Sequence, residues 1–237
     1  MDVPAANETA IGGQYDKKLF IQATVKFLSG VLLVGLLIFL PAGTLSYWKG
    51  WLLMGILFIP MFIAGIIMLV KNPELLRKRL NAREQQTEQK QVIKLSGLMF
   101  ILGFLLAGLD YRFTWYPLPN LVSRAAAVVF LLAYLMYAEV LRENTYLSRT
   151  VEVQQGQQVI DTGLYGIVRH PMYSATVLLF LSIPLVLGSV ISFVVFLLYP
   201  VVIAKRIRNE EKILKDGLAG YSEYKKRVKY KLIPFIW

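Results

Sequence analysis

The stretch YSATVLLFLSIPLVLGSVISFVVFLLYPVVIA, Tyr173–Ala204, runs for 32 residues without Asp, Glu, Lys, Arg or His. As one helix rising 1.5 Å per residue it would be about 48 Å long, against a hydrocarbon layer of about 30 Å. Pro184, Gly188 and Ser189 interrupt it near the middle. The stretch therefore predicts a helical hairpin or a sharply broken helix, each half short for a full crossing.

Upstream runs extend the pattern. Phe27–Trp48 and Trp51–Val70 carry no charge except at their junction, where only Lys49 and Gly50 separate them. That predicts a tight hairpin with Trp48 and Trp51 at the interface. Leu95–Leu109 and Leu121–Ala138 supply a third and a fourth span. The expected fold is an all-α polytopic membrane protein of five or six spans: about four scaffold helices, then the broken hairpin and a cytosolic cofactor-binding helix. The divisions are a tail over 1–18, a transmembrane scaffold over 19–141 and a catalytic region over 142–237.

Composition agrees, with 56% hydrophobic residues, 17% charged residues and a mean hydropathy of +0.54, well outside the range of soluble domains. The net charge of +11 sits between and after the apolar runs, which points to anionic lipid headgroups and not to nucleic acid. A chain without cysteine and with a single histidine, His170, offers little to a zinc or iron centre. Seven Lys and Arg lie within Lys71–Lys94 and ten from Lys205 onward. By the positive-inside rule both termini, both basic segments and Leu141–Pro171 face the cytoplasm. In a bacterial cell that is the inner membrane.

Polar chemistry is concentrated after Glu139. In TGLYGIVRHPMYSA, Thr162–Ala175, the glycines permit unusual backbone or close approach, and Pro171 marks a helix entry suited to an anion. In RIRNEEKIL, Arg206–Leu214, helical spacing puts Arg206 and Glu210 on one face, with Glu211 on an adjoining one. The tail GYSEYKKRVKYKLIPFIW, Gly220–Trp237, reads as a membrane-surface helix followed by an apolar closing strand or turn. Taken singly, each piece also fits an interfacial anchor or an ordinary salt-bridged helix.

In this order, TGLYGIVRHPMYSA, a broken hairpin, RIRNEE and GYSEYKKRVKYKLIP resemble the isoprenylcysteine carboxyl methyltransferase family, and more distantly membrane phospholipid methyltransferases. The resemblance covers Arg142–Trp237, and its lead-in RENTYLSRTVEVQQGQQVIDTG is similar to the bacterial branch. It implies an S-adenosylmethionine-dependent methyltransferase. Gly163, Tyr165, Val168, Arg169, His170, Pro171 and Tyr173 line the cofactor in this reading, Glu210 or Glu211 binds its polar groups, and no metal is required. Arg206 is the catalytic candidate, holding the acceptor, with Arg142 and Arg169 as weaker choices.

The implied reaction is an in-line displacement by a carboxylate, which is already ionised at neutral pH and needs no general base. A lipophilic acceptor enters laterally from the bilayer, while the cofactor enters from the cytoplasm. An isoprenylcysteine-like carboxylate fits first. Phospholipid or small-molecule N- or S-methylation is the first alternative, and an NADPH-dependent reductase of the sterol-reductase type the second. The acceptor atom and the oligomeric state are left open by the sequence.

Overall fold

A computed structural model describes residues 17–80, 87–147 and 152–237. Residues 1–16 of the expected 1–18 tail and the basic-loop residue Arg83 lie outside the described residues, while Lys17 and Lys18 already belong to the first helix. Nine α-helices and one 3-10 turn make up the regular structure among the described residues, with no strand. The protein is an all-α polytopic membrane protein, in which five helical segments are long and apolar enough to cross a bilayer and a sixth is shorter.

Helix α1, Lys17–Ala42, and helix α2, Trp48–Lys71, form the first hairpin. The turn is not at Lys49–Gly50 as the charge pattern suggested. It spans Gly43 to Tyr47, because Gly43 takes a left-handed φ of 69° and closes α1 by bonding Phe39 and Leu40 carbonyls, a Gly-terminated C-cap. Lys49 therefore falls inside the first turn of α2, where it is buried and donates from Nζ to the Leu118 carbonyl at 2.8 Å.

A short helix α3, Pro73–Leu80, follows. Asn72 starts it by accepting from the Leu75 N–H at 3.1 Å, with proline at the first helical position, a favoured N-terminal combination. Helices α4, Thr87–Phe113, and α5, Asn120–Glu143, are the third and fourth spans.

The Tyr173–Ala204 stretch is broken as expected. Helix α6, Pro171–Leu187, ends at Gly188 in the left-handed region, with φ 74°. Ser189 then caps α7, Val190–Phe196, by accepting from the Ser192 N–H. Helix α8, Leu198–Gly217, continues from α7 after Leu197. Pro184 lies within α6, so the glycine makes the break. Helix α9, Tyr221–Arg227, precedes an irregular carboxy-terminal strap.

Helix α6 packs chiefly along α5, and α4 packs against α1, α7 and α8. The core is apolar, with Ile38, Leu53, Phe130, Val186, Phe196 and Ile207 almost fully enclosed. A polar knot closes the end opposite the hairpin mouth. Ser189 donates to Asp110 Oδ2, the Tyr116 N–H donates to Asp110 Oδ1, and Tyr47 donates to the Leu187 carbonyl. These bonds pin the Gly188 turn to α2 and α4. The other end gathers α3 and the termini of α4, α5, α6 and α8, and there the polar residues converge.

Candidate active site

The site grows from the Gly163–Gly166 3-10 turn. Gly163, with φ 53°, starts a turn that buries the Tyr165 side chain. There the Tyr165 hydroxyl accepts from Asn144 Nδ2 at 2.9 Å, and the Tyr165 carbonyl accepts from the Tyr224 hydroxyl at 2.8 Å. Burial pushes the Tyr165 and Tyr224 phenols well above the ordinary tyrosine pKa, so both remain neutral hydrogen-bonding groups.

The strap holds the next residues. The N–H groups of Arg169 and His170 donate to the carbonyls of Tyr230 and Lys231, both at 2.9 Å, and Ser174 Oγ donates to the Leu232 carbonyl at 2.6 Å. The Tyr173 N–H is bonded to the His170 carbonyl. The entry of α6 is thus less open to an anion than Pro171 alone suggests.

The two glutamates have separate surroundings. Glu211 is buried, and its Oε1 accepts from Arg169 Nε at 2.7 Å and lies 3.4 Å from His170 Nε2. Lys225 Nζ lies 3.2 Å and Lys231 Nζ 3.7 Å from its Oε2. Arg169 also donates to the carbonyls of Val228 and Lys229. A buried carboxylate is tolerated only with such pairing. Glu211 is consequently the clamp that joins α8, the Arg169–His170 segment and the strap.

Glu210 instead lines a cleft of about 820 Å³, its open mouth included. Its Oε2 accepts from the Tyr173 hydroxyl at 2.5 Å, and its Oε1 lies 3.8 Å from His170 Nδ1. The Tyr173 hydroxyl in turn accepts from Arg206 Nε at 2.8 Å.

Of the residues singled out in the sequence, Tyr165, Arg169, His170, Tyr173, Arg206 and Glu210 line this cleft. Gly163 stands outside it, against the Glu143 carboxylate. Val168 and Pro171 are buried as packing, and Glu211 sits behind the wall. Arg142 pairs with Glu139 on the exposed end of α5.

The sequence reading missed the opposite wall, formed by Asn144, Tyr146 and the Gln157–Ile160 segment, together with Tyr221. Tyr221 is buried and its hydroxyl has no hydrogen-bond partner among the described residues. Burial first, then the nearby charges of Glu211 and Glu210, holds its phenol far above the ordinary pKa. The spacing of the GYSEY segment did carry a signal, since Tyr221 and Tyr224 share a helix face.

A second cavity of about 1110 Å³, its open mouth included, lies among α4, α5, α6 and α8. Met172, Tyr173 and Arg206 line both cavities and form the partition between them.

Residues 125–216 match the model of the isoprenylcysteine carboxyl methyltransferase family. This region of the chain belongs to that family. The matched region contains the Arg169–His170–Pro171 entry, the broken hairpin, Arg206 and both glutamates, and it stops short of Tyr221. The chain is also 30% identical over 91 residues to the Delta(14)-sterol reductase of Mus musculus. That alignment takes in 37% of this chain and 22% of the reductase, so it spans about a fifth of the curated relative.

Proposed function

We propose that this protein is an S-adenosylmethionine-dependent methyltransferase that esterifies the carboxylate of a lipophilic, isoprenylcysteine-like acceptor. The observation that carries the reading is the partition: one phenol, Tyr173, bonds the cleft carboxylate Glu210 on one side and the groove guanidinium Arg206 on the other. The membership of the 125–216 region in a methyltransferase family supports it.

The cleft residues fit the cofactor. Tyr146, Tyr165, Tyr173, Tyr221 and Tyr224 give flat walls for a purine, and the orphaned Tyr221 hydroxyl is a group that a polar ligand would satisfy. Glu210 would accept from ribose hydroxyls or an ammonium group. When bound, S-adenosylmethionine supplies an electrophilic methyl group. Arg206 presents a planar fork that pairs with a carboxylate and leaves its lone pairs nucleophilic. Tyr173 fixes the guanidinium relative to the cleft, so alignment and exclusion of water carry the rate.

This reading puts the site end, the strap and both termini in the cytoplasm, at the inner membrane of a bacterial cell. Exposed basic residues such as Lys205 and Arg208 would face anionic lipid headgroups there. The test is calorimetry with S-adenosylhomocysteine, followed by methyl transfer to an S-prenylcysteine carboxylate and to lipid amines and thiols. Binding with transfer to the carboxylate is expected. Transfer confined to an amine or thiol would overturn the acceptor assignment, and absence of binding would overturn the cofactor.

The sterol-reductase match favours a second reading, an NADPH-dependent reductase. The cleft lining mixes Glu152 and Glu210 with Arg169 and Arg206, so its charge alone does not choose between the two cofactors. Comparing NADPH with S-adenosylhomocysteine in the same titration separates the two.

A further inference from the structure

The groove beyond the partition has its own polarity. Its inner walls are aromatic: Phe100 meets Phe180 edge-on at 4.7 Å between centroids, and Phe180 meets Tyr199 at 4.6 Å. At its polar end stand two guanidiniums, Arg206 and Arg79, and no Asp or Glu lines it among the described residues. Both arginines engage a phenol in the same manner. Arg206 bonds the Tyr173 hydroxyl and lies 5.9 Å over its ring. Arg79 bonds the Tyr137 hydroxyl and lies 5.5 Å over its ring.

Arg79 comes from α3, outside the matched family region, and α3 is held firmly in place. Leu75 and Leu76 are buried, Lys78 donates to Gln154 at 2.7 Å, and Lys26 donates to the Leu80 carbonyl. A fixed guanidinium at the rim of an aromatic groove is a geometry for recognising an anion on an amphiphile.

We infer that Arg79 is a specificity residue of the acceptor groove: with Tyr137 it receives an anionic group of a lipophilic acceptor whose tail lies along Phe100, Phe180 and Tyr199. The inference rests on the methyltransferase reading for its link to catalysis, but not for the binding itself. Arg206 at the partition then serves the reacting group, and Arg79 a neighbouring carboxylate or phosphate. Because α3 precedes the family region, acceptor selection resides in the scaffold while cofactor binding resides in the carboxy-terminal part.

The experiment uses the full chain in lipid nanodiscs and three photoprobes that share one diazirine-bearing sixteen-carbon chain, ending in a carboxylate, a phosphate or a hydroxyl. Labelled peptides are mapped in wild type, Arg79→Ala, Arg79→Lys and Gly97→Phe. Gly97 lines the groove, and a Cβ added there meets nothing within 4 Å, so a side chain can start there without a clash at its first carbon and project a ring into the groove.

At least one anionic probe is expected to label groove peptides more strongly than the hydroxyl probe, and comparison of the two identifies the anion. Arg79→Ala should cut anionic labelling about tenfold, the size of one charge-assisted hydrogen bond, while leaving hydroxyl labelling unchanged. Arg79→Lys should restore most of it, and Gly97→Phe should suppress all three probes. Equal loss of all probes in Arg79→Ala, no rescue by lysine, or undiminished labelling in Gly97→Phe would overturn the inference. Titration with S-adenosylhomocysteine runs alongside as a fold control in the variants. Its failure in wild type would sink the methyltransferase reading while the labelling still judged the groove.

Discussion

The Tyr173 hydroxyl accepts from Arg206 Nε at 2.8 Å and donates to Glu210 at 2.5 Å, so a single side chain couples the groove to the cleft. Helix α6 supplies the phenol and α8 supplies both partners. Their relative placement is set by the packing of the broken hairpin.

Removing that coupling should cost rate more than affinity. Tyr173→Phe keeps the ring that lines both cavities and loses only the hydroxyl. We expect kcat to fall by about 10- to 100-fold, the scale of a small misplacement of a reacting group, with S-adenosylhomocysteine affinity within about threefold. Arg206→Ala should abolish turnover and spare cofactor binding, and Arg206→Lys should not restore turnover because it lacks the planar fork. Steady-state kinetics and calorimetry on the same preparations check both. A Tyr173→Phe enzyme with unchanged kcat would remove the coupling role.

The adjacent glutamates should separate cleanly. Glu210→Ala removes a cleft carboxylate and should weaken S-adenosylhomocysteine by tenfold or more, about 1.4 kcal/mol or above, with little change in melting temperature. Glu211→Ala leaves the buried Arg169 with only the Val228 and Lys229 carbonyls, whereas Arg169→Ala leaves Glu211 with His170, Lys225 and Lys231. Glu211→Ala should therefore destabilise by about 3–5 kcal/mol and Arg169→Ala by less, with the double variant less harmful than the two losses summed. Thermal unfolding in detergent measures this. Equal melting temperatures for Glu210→Ala and Glu211→Ala would contradict the division of roles.

Much of this division could not be read from the sequence. The apolar spans and the break around Gly188 were legible, because each depends on local pattern: uncharged length and a glycine after a helix. The meeting of His170 with the Glu-Glu pair came only from the family resemblance, since helical spacing relates Arg206 to Glu210 and says nothing of a residue 41 positions upstream of Glu211. Which glutamate faces the cleft was not legible. That depends on Lys225 of α9 and Lys231 of the strap folding back to Glu211, and on Arg169 turning toward Glu211. The first turn was misplaced for a similar reason: Lys49 looks like a loop lysine until the Leu118 carbonyl, 69 residues away in sequence, is brought to its ammonium group.

Tyr221 gives a prediction of unusual sign. Its hydroxyl is buried without a partner among the described residues, so Tyr221→Phe removes an unsatisfied polar group and should leave the ligand-free protein as stable as before or slightly more so. If the bound cofactor satisfies that hydroxyl, the same substitution should weaken S-adenosylhomocysteine by about 3- to 10-fold, the range of one neutral hydrogen bond. Melting curves with and without ligand read both effects together. Loss of stability without ligand, or undiminished affinity, would show the hydroxyl to be serving the protein alone.

The far end of the hairpin offers a test of architecture independent of the chemistry. Gly188 combines a positive φ of 74° with a neighbour that leaves no room, since an added Cβ would lie 2.4 Å from Lys49 Nζ. An alanine there takes on about 1–2 kcal/mol for the left-handed backbone and also displaces the ammonium group from the Leu118 carbonyl. Because Ser189 and Leu187 on either side anchor to Asp110 and Tyr47, the shift would loosen the whole turn. Gly188→Ala should therefore lower the melting temperature measurably, while Gly188→Ala combined with Lys49→Met should recover part of the loss by removing the steric conflict but not the backbone strain. Double-mutant-cycle analysis of the melting data gives the coupling directly. Strictly additive effects would show that Lys49 does not press on the turn, and that the strain at Gly188 alone sets where the helix breaks.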